Sequence, residues 1–288
     1  GRRFELVRTY VPADSVAWAT LGEMGEASWI VLGMLRGPGW ETYTNALAQH
    51  SETSVRAQVI QAEHSKAISD RNYERAGALY EQMKAEFSDV KSLWFTLKKY
   101  DPALPIQRGK PMISWSFPRM GKKESLNSEA LKGTPYVFDV WGTWCAGCVQ
   151  DMPTLHSTYA SINGVAPPRP AKRPGRAPTM GAAENPRVQF VSLGVGDAPG
   201  TVKKFRKTQW PMPWEHLVLP EEMDLDGLSK AWGFDWYPFV VLVDKDGVVV
   251  AVDDGLRGTQ LRETLREHLG EAPREAEEEA AEPLEAAG

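Results

Sequence analysis

Hydrophobic residues recur in two different ways along the chain. From residue 14 to about Lys99 they follow helical spacing; beyond Pro111 they alternate or form short continuous runs. In the first stretch Trp18, Leu21, Met24, Trp29, Ile30 and Leu32 lie at mixed helical intervals, interrupted by Gly22 and Gly25. Gly37-Pro38-Gly39 then ends the segment. From Glu41 to Lys99 helix is predicted throughout, with Ser51 and Ser54 as caps and Val55, Val59 and Ile60 on one face. Asp70 or Asn72 starts a further helix whose stripe is Tyr73, Ala76, Leu79, Tyr80 and Met83. Residues 73–90 have the form of one helix of a tetratricopeptide-type pair, but no second copy recurs at a fixed period. The run from Ala27 to Leu35 falls well short of the roughly 18–20 apolar residues of a membrane span and reads as a buried helix.

Three prolines and a glycine between Asp101 and Pro111 forbid helix and mark a domain boundary. Residues 113–117 alternate as a half-buried strand, turn at Met120-Gly121-Lys122 and close a hairpin at Leu126; residues 128–131 form a short helical turn. A central strand is predicted from Tyr136 to Val140, and a helix from Cys145 to about Ile162, kinked at Pro153. Residues 163–186 carry six prolines and four basic residues with almost no large apolar groups, and are expected to be a flexible loop. A buried strand follows at residues 188–193, a helix at 200–208 and a short strand at 214–219. Asp226 is expected to cap a helix ending near Trp232-Gly233. Strands at 238–243 and 248–252 pair through Asp244-Lys245-Asp246-Gly247, a turn signal; an EF-hand would need a further glutamate ligand. Leu261, Leu265 and Leu269 mark the last helix. The division is thus a helical domain (1–100), a linker (101–110), an α/β domain (111–270) and an acidic tail (271–288) expected to be disordered.

Composition adds little until it is divided. Of the net charge of −5, residues 271–288 hold −6, from seven Glu and one Arg, so the remainder is nearly neutral. That gives no argument for binding nucleic acid or a membrane surface. The helical domain is a candidate for binding a partner or forming a homodimer, though its aromatic stripe reads first as core. His50 and His64 read as helix-surface residues, not ligands. The chain starts at Gly1, so a signal peptide or anchor removed ahead of it is an expectation the sequence leaves open.

The two cysteines change the picture. Val137-Phe138-Asp139-Val140-Trp141 is an apolar run that stops at Gly142-Thr143, after which Trp144 leads into Cys145-Ala146-Gly147-Cys148. A strand feeding a helix places Cys145 at a helix N-terminus, where free amide N–H groups and the macrodipole favour a thiolate. Cys148 lies one turn later on the same face, as a resolving thiol should. Zinc would need about four ligands; there is no third cysteine and no His-x3–5-His pair. Two buried core cysteines are the other reading, and the surrounding strand, turn and helix favour redox chemistry. The glycines of Gly194-Val195-Gly196 do not fit a dinucleotide loop, having the wrong spacing and an intervening proline.

The run from Asp139 to Cys148 resembles the active site of the thioredoxin superfamily, and Gly233 to Gly247 is similar to its cis-proline strand and following hairpin. Asp151 with Met152-Pro153 resembles the TlpA/ResA-type thiol–disulfide oxidoreductases, which are membrane-tethered or periplasmic. The resemblance covers about residues 111–270 and leaves out the first hundred. It implies a thioredoxin fold, a mixed sheet flanked by helices, and a reaction with no bound cofactor, in which a protein disulfide is the substrate and an external thiol the electron donor.

The resemblance also implies roles. Cys145 attacks, the more buried Cys148 resolves, and Asp139 and Asp151 are the candidate proton acceptors. Pro238 in cis form faces the dithiol, with Tyr237 before it bulkier than the family's usual residue; Trp144 flanks the cysteines as a docking surface. His156, on the same helix, reads as surface or packing. Ala146-Gly147 lacks the histidine of oxidising members, which points to the reducing end of the range. Two alternatives differ in class. One is a partner-binding helical module whose dithiol is vestigial or holds Cu(I). The other is a thiol peroxidase, which would carry Pro-x-x-x-Thr-x-x-Cys; positions 138 and 142 are Phe and Gly instead.

Overall fold

The computed structural model describes residues 6–271, apart from Arg8, Lys172 and Glu221. The expected acidic tail therefore lies, beyond Glu271, outside the described residues. Backbone proximity divides the chain into two units, Gly1–Leu104 and Pro105–Gly288.

In the first unit the helices include α1 (Val16–Met24), α2 (Ala27–Leu35), α3 (Glu41–Leu47), α4 (Thr53–Ser69), α5 (Tyr73–Phe87) and α6 (Trp94–Lys99). Gly25, at φ 78°, separates α1 from α2, whereas Gly22 stays inside α1. Gly22 is there because α4 passes close by: a Cβ on it would stand 2.9 Å from Ser54 Oγ. α4 is the axis, giving Val55, Val59 and Ala62 to one apolar cluster and Ala57, Ile60 and Ala67 to another. The fully buried Gln58 ties the bundle across α4, accepting from the Ser28 N–H (3.2 Å) and donating to Ser92 Oγ (2.9 Å). Asn72 caps α5 through the Arg75 N–H. Neither Ser51 nor Ser54 caps α4: Glu52 is the N-cap, and Arg56 donates to the carbonyls of His50 and Ser51. His50 and His64 are buried, contrary to the surface placement read from sequence. His50 Nδ1 accepts the Glu52 N–H, and His64 packs edge-on to Tyr100.

The second unit holds a hairpin, β1 (Ser116–Pro118) with β2 (Ser125–Asn127), and a five-stranded sheet in the order β5-β4-β3-β6-β7. Its strands are β3 (Tyr136–Trp141), β4 (Gln189–Gly194), β5 (Glu215–Val218), β6 (Phe239–Val243) and β7 (Val249–Val252). β3, β4 and β5 run parallel; β6 is antiparallel to β3, and β7 to β6. The helices are α7 (Ala146–Asn163), α8 (Pro199–Thr208), α9 (Leu225–Trp232) and α10 (Gly258–His268). The two-residue period of β3 sends Phe138 and Val140 to one apolar layer and Val137 and Trp141 to the other. Asp139 shares the side of Val137 and Trp141, where α7 and α10 pack against the sheet.

Three local expectations change. The first strand is confined to Ser116–Pro118, because Trp115 N–H turns to Ser128 Oγ and Met112 N–H to the Gly247 carbonyl. The cap of α9 is Asp224, whose Oδ1 accepts the Gly227 N–H at 2.7 Å, with Asp226 already inside the first turn. The proline-rich segment 163–186 is tethered to the body. Ala183 N–H donates to the Tyr159 hydroxyl and Ala177 N–H to the Lys207 carbonyl, while Met180 and Ala183 pack on the core. Aromatic and carbonyl partners outside the segment supply what its own composition lacks.

Candidate active site

The turn that delivers the dithiol is built by contacts from β4's far end. Asp197 accepts the N–H and the hydroxyl of Thr143, at 2.6 and 2.8 Å, and the Trp144 indole donates to the Val195 carbonyl at 2.9 Å. This approach requires glycine: a Cβ on Gly196, already at φ 71°, would lie 2.6 Å from Trp144 Nε1, and one on Gly142 would collide with the same ring. The chain then enters α7 with Cys145 as its N-cap residue. Cys145 and Cys148 are disulfide-bonded, with Cα atoms 5.2 Å apart, and the Cys148 N–H points at Cys145 Sγ (3.1 Å). That amide and the helix dipole stabilise negative charge on the Cys145 sulfur once the bond is reduced. Cys145 and Cys148 are almost equally enclosed, 5% and 4% exposed.

Around the dithiol stand Trp144, which is 49% exposed, and Tyr237, edge-on to it at 5.1 Å between ring centres. The Tyr237–Pro238 peptide is cis. Pro238 faces the dipeptide between the cysteines: a Cβ on Gly147 would sit 3.6 Å from Pro238 Cδ.

Behind Cys148 is a cavity of about 20 Å³ lined by Asp139, Cys148, Asp151, Pro238 and Arg257, among others. Asp139 is buried, and its carboxyl pKa is raised from 3.8 to about 7. Burial is the main cause; the Ser192 hydroxyl opposes it, the Asp151 charge reinforces it, and the Arg257 guanidinium opposes it. Ser192 is opposite Asp139 in the β3–β4 register, donates to Asp139 Oδ2 at 3.3 Å and accepts from the Trp214 indole at 2.8 Å. Asp151, three residues past Cys148, is held by Arg257 Nε at 2.9 Å.

The structure therefore brings Asp139, Cys145, Cys148, Asp151, Trp144, Tyr237 and Pro238 to one place. Sequence reasoning missed Ser192, Trp214, Asp197 and Arg257. Asp197 belongs to the glycine-containing stretch rejected as a nucleotide loop, and its true signal is two glycines beside an exposed tryptophan. His156 is buried, not a surface residue. Its Nδ1 faces the Met152 carbonyl at 2.7 Å and its Nε2 accepts the Met212 N–H at 3.0 Å, so it is a neutral packing group. Burial lowers its pKa from 6.5 to about 4. Among the described residues no group of three or more His, Cys, Asp or Glu could hold a metal, and no helix is long and apolar enough to cross a membrane.

A mixed five-stranded sheet that presents a Cys-x-x-Cys at a helix start, against a cis-proline, defines a thioredoxin-fold thiol–disulfide oxidoreductase. No family model matches the chain. It is 28% identical over 150 residues to the thiol-disulfide oxidoreductase ResA of Bacillus thuringiensis, covering 52% of this chain and 68% of the relative. It is 36% identical over 67 residues to the thiol:disulfide interchange protein DsbE of Xylella fastidiosa, covering 22% and 34%. A thiol:disulfide interchange protein from a Bacteroides species is similar in structure, with TM-score 0.45 and 18% identity over 60% of this chain and 97% of that one. With these relationships beside the site, the second unit resembles the TlpA/ResA-type thiol–disulfide oxidoreductases of the thioredoxin superfamily.

Proposed function

We propose that the protein reduces disulfides in protein substrates outside the cytoplasm, with its own dithiol as the only redox group and an external thiol protein as electron donor. Cys145 attacks a substrate disulfide, its sulfur bonding to one substrate sulfur while the other leaves as thiolate. Cys148 then loses its proton to Asp139 and attacks Cys145 Sγ. The Cys145–substrate bond breaks, the second substrate sulfur leaves with the electron pair, and the Cys145–Cys148 disulfide remains. Two electrons pass to the substrate, and the donor returns them by the reverse exchange. Trp144 and Tyr237 provide the apolar rim on which a substrate chain rests, and the backbone before Pro238 pairs with it. The placement outside the cytoplasm draws on the relatives' resemblance class.

The observation that carries the reading is the Cys148 N–H aimed at Cys145 Sγ with a buried carboxyl behind Cys148. The reducing direction follows from Ala146-Gly147, which offers no imidazolium to stabilise the thiolate. Equilibration with dithiothreitol couples, followed by thiol alkylation, should give a potential nearer roughly −270 mV than roughly −120 mV. A value at the oxidising end would contradict the reductase assignment.

A further inference from the structure

The exchange steps above leave the ion pair at the cavity behind Cys148 without a role. Arg257 is the N-cap residue of α10, far along the chain from the cysteines, and its Nε holds Asp151 Oδ2 at 2.9 Å. The other end of the guanidinium lies over the dithiol turn: a Cβ on Gly147 would stand 3.3 Å from Nη2. The cavity, about 20 Å³, has room for about one water molecule. Its lining includes Asp139 and Cys148 together with both members of the Asp151–Arg257 pair. The groups that face Asp139 come from four elements. β4 brings Ser192, backed by Trp214; α7 brings Cys148 and Asp151; α10 brings Arg257; β6 and its entry bring only Val240 and Pro238, which carry no charge.

We propose that Arg257 is a positioning residue for the resolving step: it holds the Asp151 carboxylate at the cavity wall and, through that pair, governs the proton that passes from Cys148 to Asp139. This rests on the role of Asp139 in the reading above. In the step concerned, the Cys148 S–H bond breaks and the proton goes to the Asp139 carboxylate. The freed electron pair makes the Cys145–Cys148 bond as the Cys145–substrate bond breaks. An uncompensated Asp151 adds negative charge beside Asp139 and makes its carboxylate retain a proton that it must first shed. Arg257 offsets that charge. Loss of the arginine therefore moves resolution to higher pH, and loss of Asp151 moves it to lower pH.

The reduced full-length protein reacting with 5,5′-dithiobis(2-nitrobenzoate) separates the two sulfur steps. Attack by Cys145 releases one thionitrobenzoate and resolution by Cys148 releases the second, so the second phase is followed in stopped flow from about pH 5 to 9. Arg257→Gln should raise the midpoint of that phase by roughly 0.5 in pH, a slowing of about threefold on the acidic limb; the pair is partly exposed, so a larger displacement is not expected. Asp151→Asn should move it the other way, and the double variant and Arg257→Lys should return close to the parent. A midpoint unmoved by Arg257→Gln, or moved the same way by both single variants, overturns the proposal. A merely structural arginine would lower thermal stability without opposed displacements. Asp139→Asn separates the two levels. If it leaves the acidic limb in place, the role of Asp139 fails; if it erases the limb while Arg257→Gln changes nothing, only the inference about Arg257 fails.

Discussion

Replacing Asp139 by Asn should make the oxidised protein more stable, and by an amount that depends on pH in a defined way. The substitution keeps the shape and an oxygen to accept from Ser192, but removes the ionisable group. In the native protein the carboxyl titrates near 7, against 3.8 for an unperturbed one, so the native state binds its proton more tightly than the unfolded chain does. Stability contributed by that proton is whole below about pH 4, declines as pH rises between the two values, and is gone above pH 7. A tenfold difference in proton affinity corresponds to about 1.4 kcal/mol, so the buried charge costs the parent about 4 kcal/mol at pH 8. Denaturant unfolding of parent and Asp139→Asn with the disulfide intact, from pH 4 to 8, measures it. The advantage of the variant should be near zero at pH 4 and grow to several kcal/mol by pH 8. The other ionisable groups are common to both proteins and cancel in the difference. An advantage that does not change with pH would refute the claim that burial holds Asp139 neutral.

Two further substitutions test the supports of the site. Gly196→Ala places a Cβ at positive φ against the Trp144 indole. It should cost roughly 1–3 kcal/mol, change Trp144 fluorescence, and slow reaction with protein disulfides more than with small aromatic disulfides. His156→Ala strips the Met212 N–H of its acceptor and leaves a void, which should cost about 3 kcal/mol in denaturant melts at pH 7. The parent itself loses stability as pH falls from 6.5 towards 4, because its native imidazole resists protonation. The gap between the two proteins should therefore narrow on acidification; a gap that widens would show that His156 is charged in the native state.

The parts of this site carried by local pattern were legible in the sequence. A continuous apolar run marked the buried strand that carries Asp139, the Gly-Thr break ended that strand, and the three-residue spacing put both sulfurs at the start of one helix. Pro238 was placed at the site by the resemblance of residues 233–247 to a cis-proline strand, not by local pattern. Contacts set by register and tertiary approach were not legible. Ser192 meets Asp139 only because β3 and β4 pair at that register, and Arg257 meets Asp151 only because α10 packs beside α7. Nothing in a run of Val, Ser and Leu marks the one hydroxyl that will face a carboxyl. Burial of His50, His64 and His156 was missed for a related reason. A lone histidine in a helical pattern looks like a surface residue until carbonyls, amides and rings from other segments enclose it. The proline-rich segment failed as a free loop for the same cause, since its anchors, Tyr159 and Lys207, lie outside it.

The most direct measurement replaces each cysteine in turn and asks which variant is caught on its substrates. Cys148→Ser, expressed in an oxidising compartment, should accumulate mixed disulfides through Cys145. These should run as high-mass bands on non-reducing gels, vanish on reduction, and yield partners identifiable by mass spectrometry. Cys145→Ser should accumulate none. Trapping by Cys145→Ser instead, or by neither variant, would contradict attack by the sulfur at the helix start and resolution by the sulfur one turn later.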